Sequence, residues 1–532
     1  MVKQKILKDL KKTVEDLEYP SIDIVLSIPK NSSFGDYSTN IALQLAKQSS
    51  AAGYQSPEEI ADKILENLGD PEYLEKAEVA GGGFLNFFIK DEILANDLKE
   101  ILQKGEDFGK SEIGKGKKAR VEFVSANPTG PLHIGNARGG PLGDVIASVL
   151  EASGYEVLRE YIHNDVGEQV KALGATMKAQ YHGNLAEGNQ YQGEYVNELI
   201  EKLGKDVEAK GDEEAGREAV DLMYEEIMAD CHAMGIKFDL VVHESELRKE
   251  APRIIDILQK AGVVKEKDGA LWLAPNDEFL KDRETVIQKS DGGYTYFTAD
   301  IVYHKQKFES GADSIIDVFG SNHHGHVPRL QAAVSALGFD PKKLKVVLYQ
   351  YVRVKRGKEL VKMSKRAGNF ITAREVLDEV GVDAFRFYIL RFAPQTHMDF
   401  DLELVKEQSN KNPVYYVQYA HARMNNILVK AGSLNENFNP KVLVHPSEIS
   451  LIKHLLSFPD LVIKLADNLG VHQLTEYAFN LADLFHKFYE SCPVLQAENK
   501  DLVASRLALV NACKITLGNT LKLLGVSAPE RM

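Results

Sequence analysis

Cysteine and tryptophan are scarce: three cysteines and one tryptophan in 532 residues. Cys231, Cys492 and Cys513 lie far apart, with no Cys-x-x-Cys pair and no Cys/His cluster. That excludes a disulfide framework and a zinc ribbon, and points to a cytosolic compartment. Long apolar runs are also missing. No window approaches the roughly 18 apolar residues of a membrane span. The opening helix spaces Val2, Ile6, Leu10, Val14 and Leu17 at helical intervals, unlike the continuous apolar block of a signal peptide. Positive charge is in deficit, with a formal net charge of -14. This argues against general nucleic-acid binding but leaves room for a local basic face. No G-x-x-x-x-G-K-[ST] loop occurs, which disfavours a P-loop ATPase.

The length suits three or four packed units. Residues 1–112 read as a small α/β domain, with SIDIVLSI and GGGFLNFFI as strand-like pieces. A Gly- and Lys-rich linker, KSEIGKGKKAR, follows. From 117 to 395, VEFVSA, YEVLREYI, SIIDVFGS and LKVVLYQYV read as buried strands spaced for crossover helices, hence a parallel sheet. Residues 165 to about 290 are rich in Glu, Lys and Gly and mostly helical, and read as an insertion. Residues 396–532 carry long helical patterns and read as a helical bundle.

The stretch SANPTGPLHIGNARGG, Ser125 to Gly140, follows one of these strands and runs into a helix. A strand ending in a glycine-bearing turn before a helix aims backbone N–H groups at one point and attracts phosphate. Gly130, Gly135 and Gly139 lack the side chains that would block close approach. His133 and Asn136, three residues apart, place two donors on one helical face. A loop histidine in a structural turn is the alternative reading of this stretch alone.

A second segment, KELVKMSKRAGNF, brings Lys362, Ser364, Lys365 and Arg366 within five positions. Between Lys342 and Arg366 there are ten basic residues, and the only acid is Glu359. A solvated charge run is the plain reading. Serine and glycine among the lysines also suit a loop that closes over a polyphosphate. Ammonium groups there would stabilise departing pyrophosphate as its charge grows.

Together the two segments resemble the HIGH-like and KMSKS-like motifs of class I aminoacyl-tRNA synthetases. Here they read His133-Ile134-Gly135-Asn136 and Lys362-Met363-Ser364-Lys365-Arg366. Asn136 stands where the motif has a second histidine; it can donate a hydrogen bond but cannot titrate. The resemblance narrows to the arginyl-tRNA synthetases and spans nearly the whole chain. It rests on SSFGDYSTNIALQLAK, VEFVSANPTGPLHIGNARGG, YTYFTADIVYH, SNHHGHVPRL, NPVYYVQYAHAR and LKLLGVSAPERM. It implies a Rossmann-like catalytic domain with a helical insertion, a small N-terminal α/β domain and a C-terminal all-α anticodon-binding bundle.

The resemblance also implies roles. His133, Asn136, Lys362, Ser364 and Lys365 would carry catalysis. Pro131, Gly135, Asn322, His323, Met363 and Arg366 would bind ATP. A guanidinium has five N–H donors in a fixed plane and needs carboxylate acceptors. Glu244, Tyr296 and Asp300 are the implied arginine-side residues; Asn127 and Glu122 would hold the amino and carboxylate end. Tyr296 and Asp300, four apart, share a face if helical. His326 has no assigned role, and SNHHGH shows no third ligand at metal spacing. ATP with Mg²⁺ on its phosphates is the implied cofactor set, without a structural metal.

For tRNA(Arg), the implied contacts are Phe34, Gly35, Asp36 and Tyr37 at the N-terminal domain and Tyr415, Tyr419 and Arg423 on the bundle. A β-turn and a packed helix face are the respective structural alternatives. A monomer is expected. A class I synthetase for another amino acid, a nucleotidyltransferase that works without RNA, and a non-catalytic RNA-binding relative are the other open functions.

Overall fold

The structure, a computed structural model, describes residues 2–29, 32–48, 56–184, 191–275, 277–280, 284–357, 359–361, 371–432 and 438–532. Its centre is a sheet of five parallel strands. Lys118–Phe123 lies in the middle, between Glu156–His163 and Ser314–Gly320. Leu240–His243 and Leu344–Tyr349 form the edges. Val121, Phe123, Tyr161, Ile315 and Ile316 are fully buried, as expected of strands covered on both faces. The helix Gly139–Ala152 packs on the two strands that flank it in sequence. Gly143 permits this, because a Cβ there would lie 2.2 Å from the Phe123 ring.

The chain builds outward from Lys118–Phe123 to one edge, then returns to build the other side from Ser314–Gly320. The order therefore reverses between these two strands, and in open α/β sheets ligands bind at the carboxyl ends of strands at such a point. The four strands read from the sequence are present. The fifth, LVVH at Leu240–His243, falls inside 165–290. Only the helices from Glu168–Tyr181 to Asp212–Ala233 leave the sheet. After Leu240–His243 a separate antiparallel sheet forms from Val264–Lys267, Ala270–Leu273 and Thr285–Gln288, where helix was expected. A four-residue apolar run has no period long enough to identify it; its pairing with Glu160 to His163 does.

The N-terminal unit packs Val2–Asp16, Ile41–Gln48 and Pro57–Leu68 with an antiparallel sheet of Tyr37–Thr39, Phe84–Ile89 and Leu74–Ala80, and Asp91–Lys104 leads out of it onto Lys500–Leu524 and Pro446–Leu456. Val2, Ile6, Leu10 and Val14 are buried, as their spacing requires. SIDIVLSI is not a strand. It makes one bridge, Ser27 to Ser38, and leaves Val25 and Ile28 exposed, because the adjacent strand is only three residues long.

The C-terminal part is a bundle built around Pro413–Ala431, Gln473–Ser491 and Lys500–Leu524. The strand Met398–Asp401 pairs in parallel with Val352–Arg356, so sheet structure reaches past residue 395. Arg386, fully buried, joins bundle and sheet domain. It donates from Nε to the Leu524 carbonyl, from Nη1 to the Met234 carbonyl, and from Nη2 to Asp144 Oδ2 at 2.6 Å.

Candidate active site

The histidine turn begins with strain. Val124 and Ser125 have φ of 68° and 36°, the left-handed region that a β-branched residue avoids. Ser125 N–H bonds back to the Phe123 carbonyl at 3.0 Å, closing a tight three-residue turn at the strand end. Neighbouring strand residues hold it there: Ile162 N–H donates to Ser125 Oγ and Tyr161 Oη to the Ala126 carbonyl. Backbone strain so over-determined is characteristic of functional turns.

His133 caps the short helix Ile134–Ala137. Its Nδ1 accepts the Asn136 N–H at 3.1 Å, so the neutral ring carries its proton on Nε2, a donor. Asn136 is therefore the third residue of that helix, and its carbonyl accepts from Tyr349 Oη at 3.3 Å. The glycines make room for the protein's own rings. A Cβ at Gly135 would lie 3.0 Å from the His133 ring, at Gly139 2.9 Å from Tyr349, and at Gly130 3.3 Å from Tyr195. Close approach to phosphate is not their first use. Pro131 is half-buried in the same turn.

Arg138 escaped the sequence reading because arginine usually marks surface. It is fully buried and donates to the carbonyls of Gln350, Thr396 and Ala393 at 2.7–3.0 Å. Burial brings its pKa down to about 10. It ties the histidine helix to the start of Val352–Arg356.

Lys362, Met363, Ser364, Lys365 and Arg366 lie outside the described residues. Their neighbours bracket the site. Val361 N–H bonds the Val354 carbonyl. Ile134 N–H bonds the Ile371 carbonyl at 3.2 Å, Ala373 N–H the Leu132 carbonyl at 2.7 Å, and Thr372 forms an antiparallel bridge with His133. Three other cations of the basic run are already paired. Arg353 and Lys355 pair with Asp399, and Arg356 with Glu379 and Glu403. Acids from residues 379–403 thus pair with the three cations of the strand Val352–Arg356, which no linear reading reveals.

Two buried carboxylates, Glu244 and Asp300, feel each other's charge. Glu244 is buried at the start of Glu244–Lys249, and its Oε1 accepts from Arg248 Nε and Nη2 at 2.9 and 2.7 Å. Burial pushes its pKa up; Arg248 pulls it down, while Asp300 and Asp165 push it up further. Tyr296 opens the helix Tyr296–Glu309, which places it one turn from Asp300 on a shared face. Its ring is 44% exposed, but burial of the hydroxyl and the charges of Asp300, Glu122 and Glu244 hold its pKa far up. Asp300 Oδ2 is buried 2.9 Å from His326 Nε2, in poor direction for a hydrogen bond, and has no other partner.

Glu122 differs from its expected role. It is buried, with Oε2 on Lys307 Nζ at 2.6 Å, and Lys307 also reaches Asp317 at 2.7 Å. His304 completes this layer, with Nε2 to Asp317 and Nδ1 to the Asp300 carbonyl, both at 2.8 Å. Burial opposes ionisation of Asp317, but Lys307 and His304 outweigh it and hold its pKa well down. Glu122 thus belongs to a buried ion-pair layer, because Lys307 has committed its charge. Asn127 is exposed, its amide held between Gln169 and Asn164. Asn322 and His323 form a short turn after Gly320, at the other side of the reversal. Asn322 is exposed and His323 half-buried, with Nδ1 unpartnered.

Of Phe34, Gly35, Asp36 and Tyr37, only Phe34 is exposed, at 50%. Gly35 is buried with φ 86°, and a Cβ there would lie 2.6 Å from the Phe87 carbonyl oxygen. Tyr37 is core, and Asp36 is held by Lys453 at 2.7 Å and by Ile89 N–H. These three have structural roles at the start of the strand Tyr37–Thr39. On Pro413–Ala431, Tyr415 and Tyr419 stack at 6.4 Å, Tyr419 also stacks on His486, and Arg423 lies 4.5 Å over the Tyr489 ring. Tyr419 is exposed and Tyr415 and Arg423 half-buried.

Comparison with known proteins follows the same division. Residues 97–428 match the class I (R) tRNA synthetase catalytic domain, 1–89 the arginyl tRNA synthetase N terminal domain, and 417–532 the DALR anticodon binding domain. The chain belongs to the arginyl-tRNA synthetases. An arginine–tRNA ligase from Oceanobacillus iheyensis is 41% identical over 530 residues, covering 96% of this chain and 94% of that one. One from Carboxydothermus hydrogenoformans is 40% identical, covering 95% and 94%. The Thermus thermophilus arginyl-tRNA synthetase structure superposes with a TM-score of 0.81 over the whole of both chains at 24% identity, a likeness of fold. The family is one of aminoacyl-tRNA ligases that use ATP and charge tRNA with arginine in translation. Among the described residues no helix is long and apolar enough to cross a membrane.

Proposed function

We propose that this chain activates L-arginine with ATP at the sheet reversal, then transfers the arginyl group to the 2′-OH of the terminal adenosine of tRNA(Arg). The observation that carries it is the joining of the His133 turn to the Ile371–Thr372 return from the lysine segment, in a domain that also holds the buried carboxylates Glu244 and Asp300. The substrate carboxylate is ionised at neutral pH, so attack on the α-phosphate needs no general base. The enzyme has to align an in-line displacement and absorb charge on pyrophosphate.

His133 Nε2–H, Asn136, Lys362, Ser364 and Lys365 supply that absorption, with Mg²⁺ accompanying the phosphates. Pro131, Gly135, Asn322, His323, Met363 and Arg366 hold the nucleotide. Glu244, Asp300 and Tyr296 accept the guanidinium, and Asn127 the amino and carboxylate end. Glu122 supports them from below through Lys307. Phe34 meets the tRNA elbow, and Tyr415, Tyr419 and Arg423 meet unpaired bases, since exposed stacked rings beside a cation suit both base and phosphate. Three buried, unpaired cysteines favour a reducing, cytosolic setting, and we infer a monomer.

ATP–pyrophosphate exchange with arginine, run with and without tRNA(Arg), tests the reading. Absence of exchange under both conditions sinks it. Lys365→Ala slows adenylate formation with arginine affinity nearly unchanged. Asp300→Asn weakens arginine far more than ATP, and equal weakening removes Asp300 from the amino-acid pocket.

A further inference from the structure

Glu244 already carries a guanidinium. Arg248, one turn along the same helix, places both Nε and Nη2 on Oε1, and Oε2 accepts no hydrogen bond among the described residues. The arrangement is seated from outside the helix. Gly167, at the start of Glu168–Tyr181 with φ 112°, leaves the space that Arg248 occupies; a Cβ there would lie 3.0 Å from Nη2. Asp300 Oδ2 is buried 2.9 Å from His326 Nε2 and has no hydrogen bond among the described residues, and its charge is felt at Glu244.

We propose that Arg248 is a positioning residue for arginine selection: it fixes Glu244 through Oε1 and presents Oε2, with Asp300, to the substrate guanidinium. This rests on the arginine pocket proposed above. The charge count supports it. Without Arg248, two buried carboxylates would face one monocation, and Glu244 would lose the contact that sets its rotamer. With Arg248 in place, one carboxylate is balanced and Asp300 remains for the incoming charge. The acceptors left over then come from two directions. A planar guanidinium can satisfy them together, and a single ammonium leaves one unpaired.

Calorimetric binding of arginine, lysine and ATP, with and without tRNA(Arg), tests this on Arg248→Ala, Arg248→Lys, Glu244→Gln and Asp300→Asn. Arg248→Ala weakens arginine at least tenfold, shifts ATP by less than twofold, and narrows the preference for arginine over lysine. Arg248→Lys recovers part of the loss, because an ammonium keeps the charge without the paired donors. In steady state the loss falls on the arginine KM, with kcat near wild type at saturation. Arginine binding by Arg248→Ala within twofold of wild type, alongside a tenfold loss in Glu244→Gln, overturns the role of Arg248 and leaves the pocket standing. Unchanged binding in both Glu244→Gln and Asp300→Asn overturns the pocket itself. If Arg248→Ala does not fold, Arg248→Gln carries the same comparison.

Discussion

Thr372 bridges His133 in antiparallel fashion, so the chain emerging from the lysine segment is stitched to the histidine turn. The hydrogen bonds on either side, Ile134 to Ile371 and Ala373 to Leu132, extend the contact. Two segments more than two hundred positions apart in sequence thus share one anchor, and Thr372 also caps Ala373–Val380 through a capping box with Glu375.

That anchor separates structure from chemistry at His133. His133→Asn keeps a side chain able to cap the helix, so thermal stability stays within about 1 kcal/mol of wild type. Loss of the imidazole donor slows adenylate formation roughly a hundredfold. Exchange kinetics and a thermal melt read the two effects. A stability loss matching the rate loss assigns His133 to folding alone.

Arg386 predicts strong coupling between bundle and sheet domain. Arg386→Met leaves Asp144 with only the longer pair to Arg159 at 3.4 Å and strands the carbonyls of Met234 and Leu524. Destabilisation of about 3–5 kcal/mol is expected. Urea unfolding followed by far-UV circular dichroism checks it; a loss below about 1 kcal/mol contradicts the clamp.

Glu379 gives a pH signature. Hydrogen bonds from Arg356 and Lys406 hold its carboxyl down to about 2, from an ordinary value of 4.5. The unfolded chain binds that proton more readily, so the contribution is full above pH 4.5 and is lost as pH falls towards 2. Glu379→Gln is therefore less stable than wild type at pH 7, and the gap closes on acidification and shrinks with salt. Melts between pH 7 and 3 measure it; a gap independent of pH removes the ion pairs as its cause.

The thiols give a simple test of packing. Cys231, Cys492 and Cys513 are buried and free, and burial pushes Cys231 up to about 12. Thiolate is the reactive form, so the native protein gives almost no reaction with an aromatic disulfide at pH 8. Three equivalents react after denaturation. A fast equivalent in the native state means that one of these sites opens.

Much of the site was legible along the chain because its chemistry is concentrated in short stretches. His133 and Asn136 share four positions of a turn, and Tyr296 and Asp300 share a helical face, so local geometry alone unites them. The partner choices were not legible. Asp36 and Lys453, Glu122 and Lys307, or Arg356 and Glu379 are separated by many residues. A charged side chain reads as surface until its partner is known.

Composition, periodicity and motif order by themselves determined the main strands, the opening helix, the helical end and the family resemblance, because these depend on repeated local preferences. Tertiary structure alone decided that LVVH completes the sheet, that Arg353, Lys355 and Arg356 in the basic run are paired with acids, and that Arg138 and Arg386 are interior. The physical reason is pairing: whether a short apolar run is a strand, or a charge is available, depends on what the fold brings opposite it.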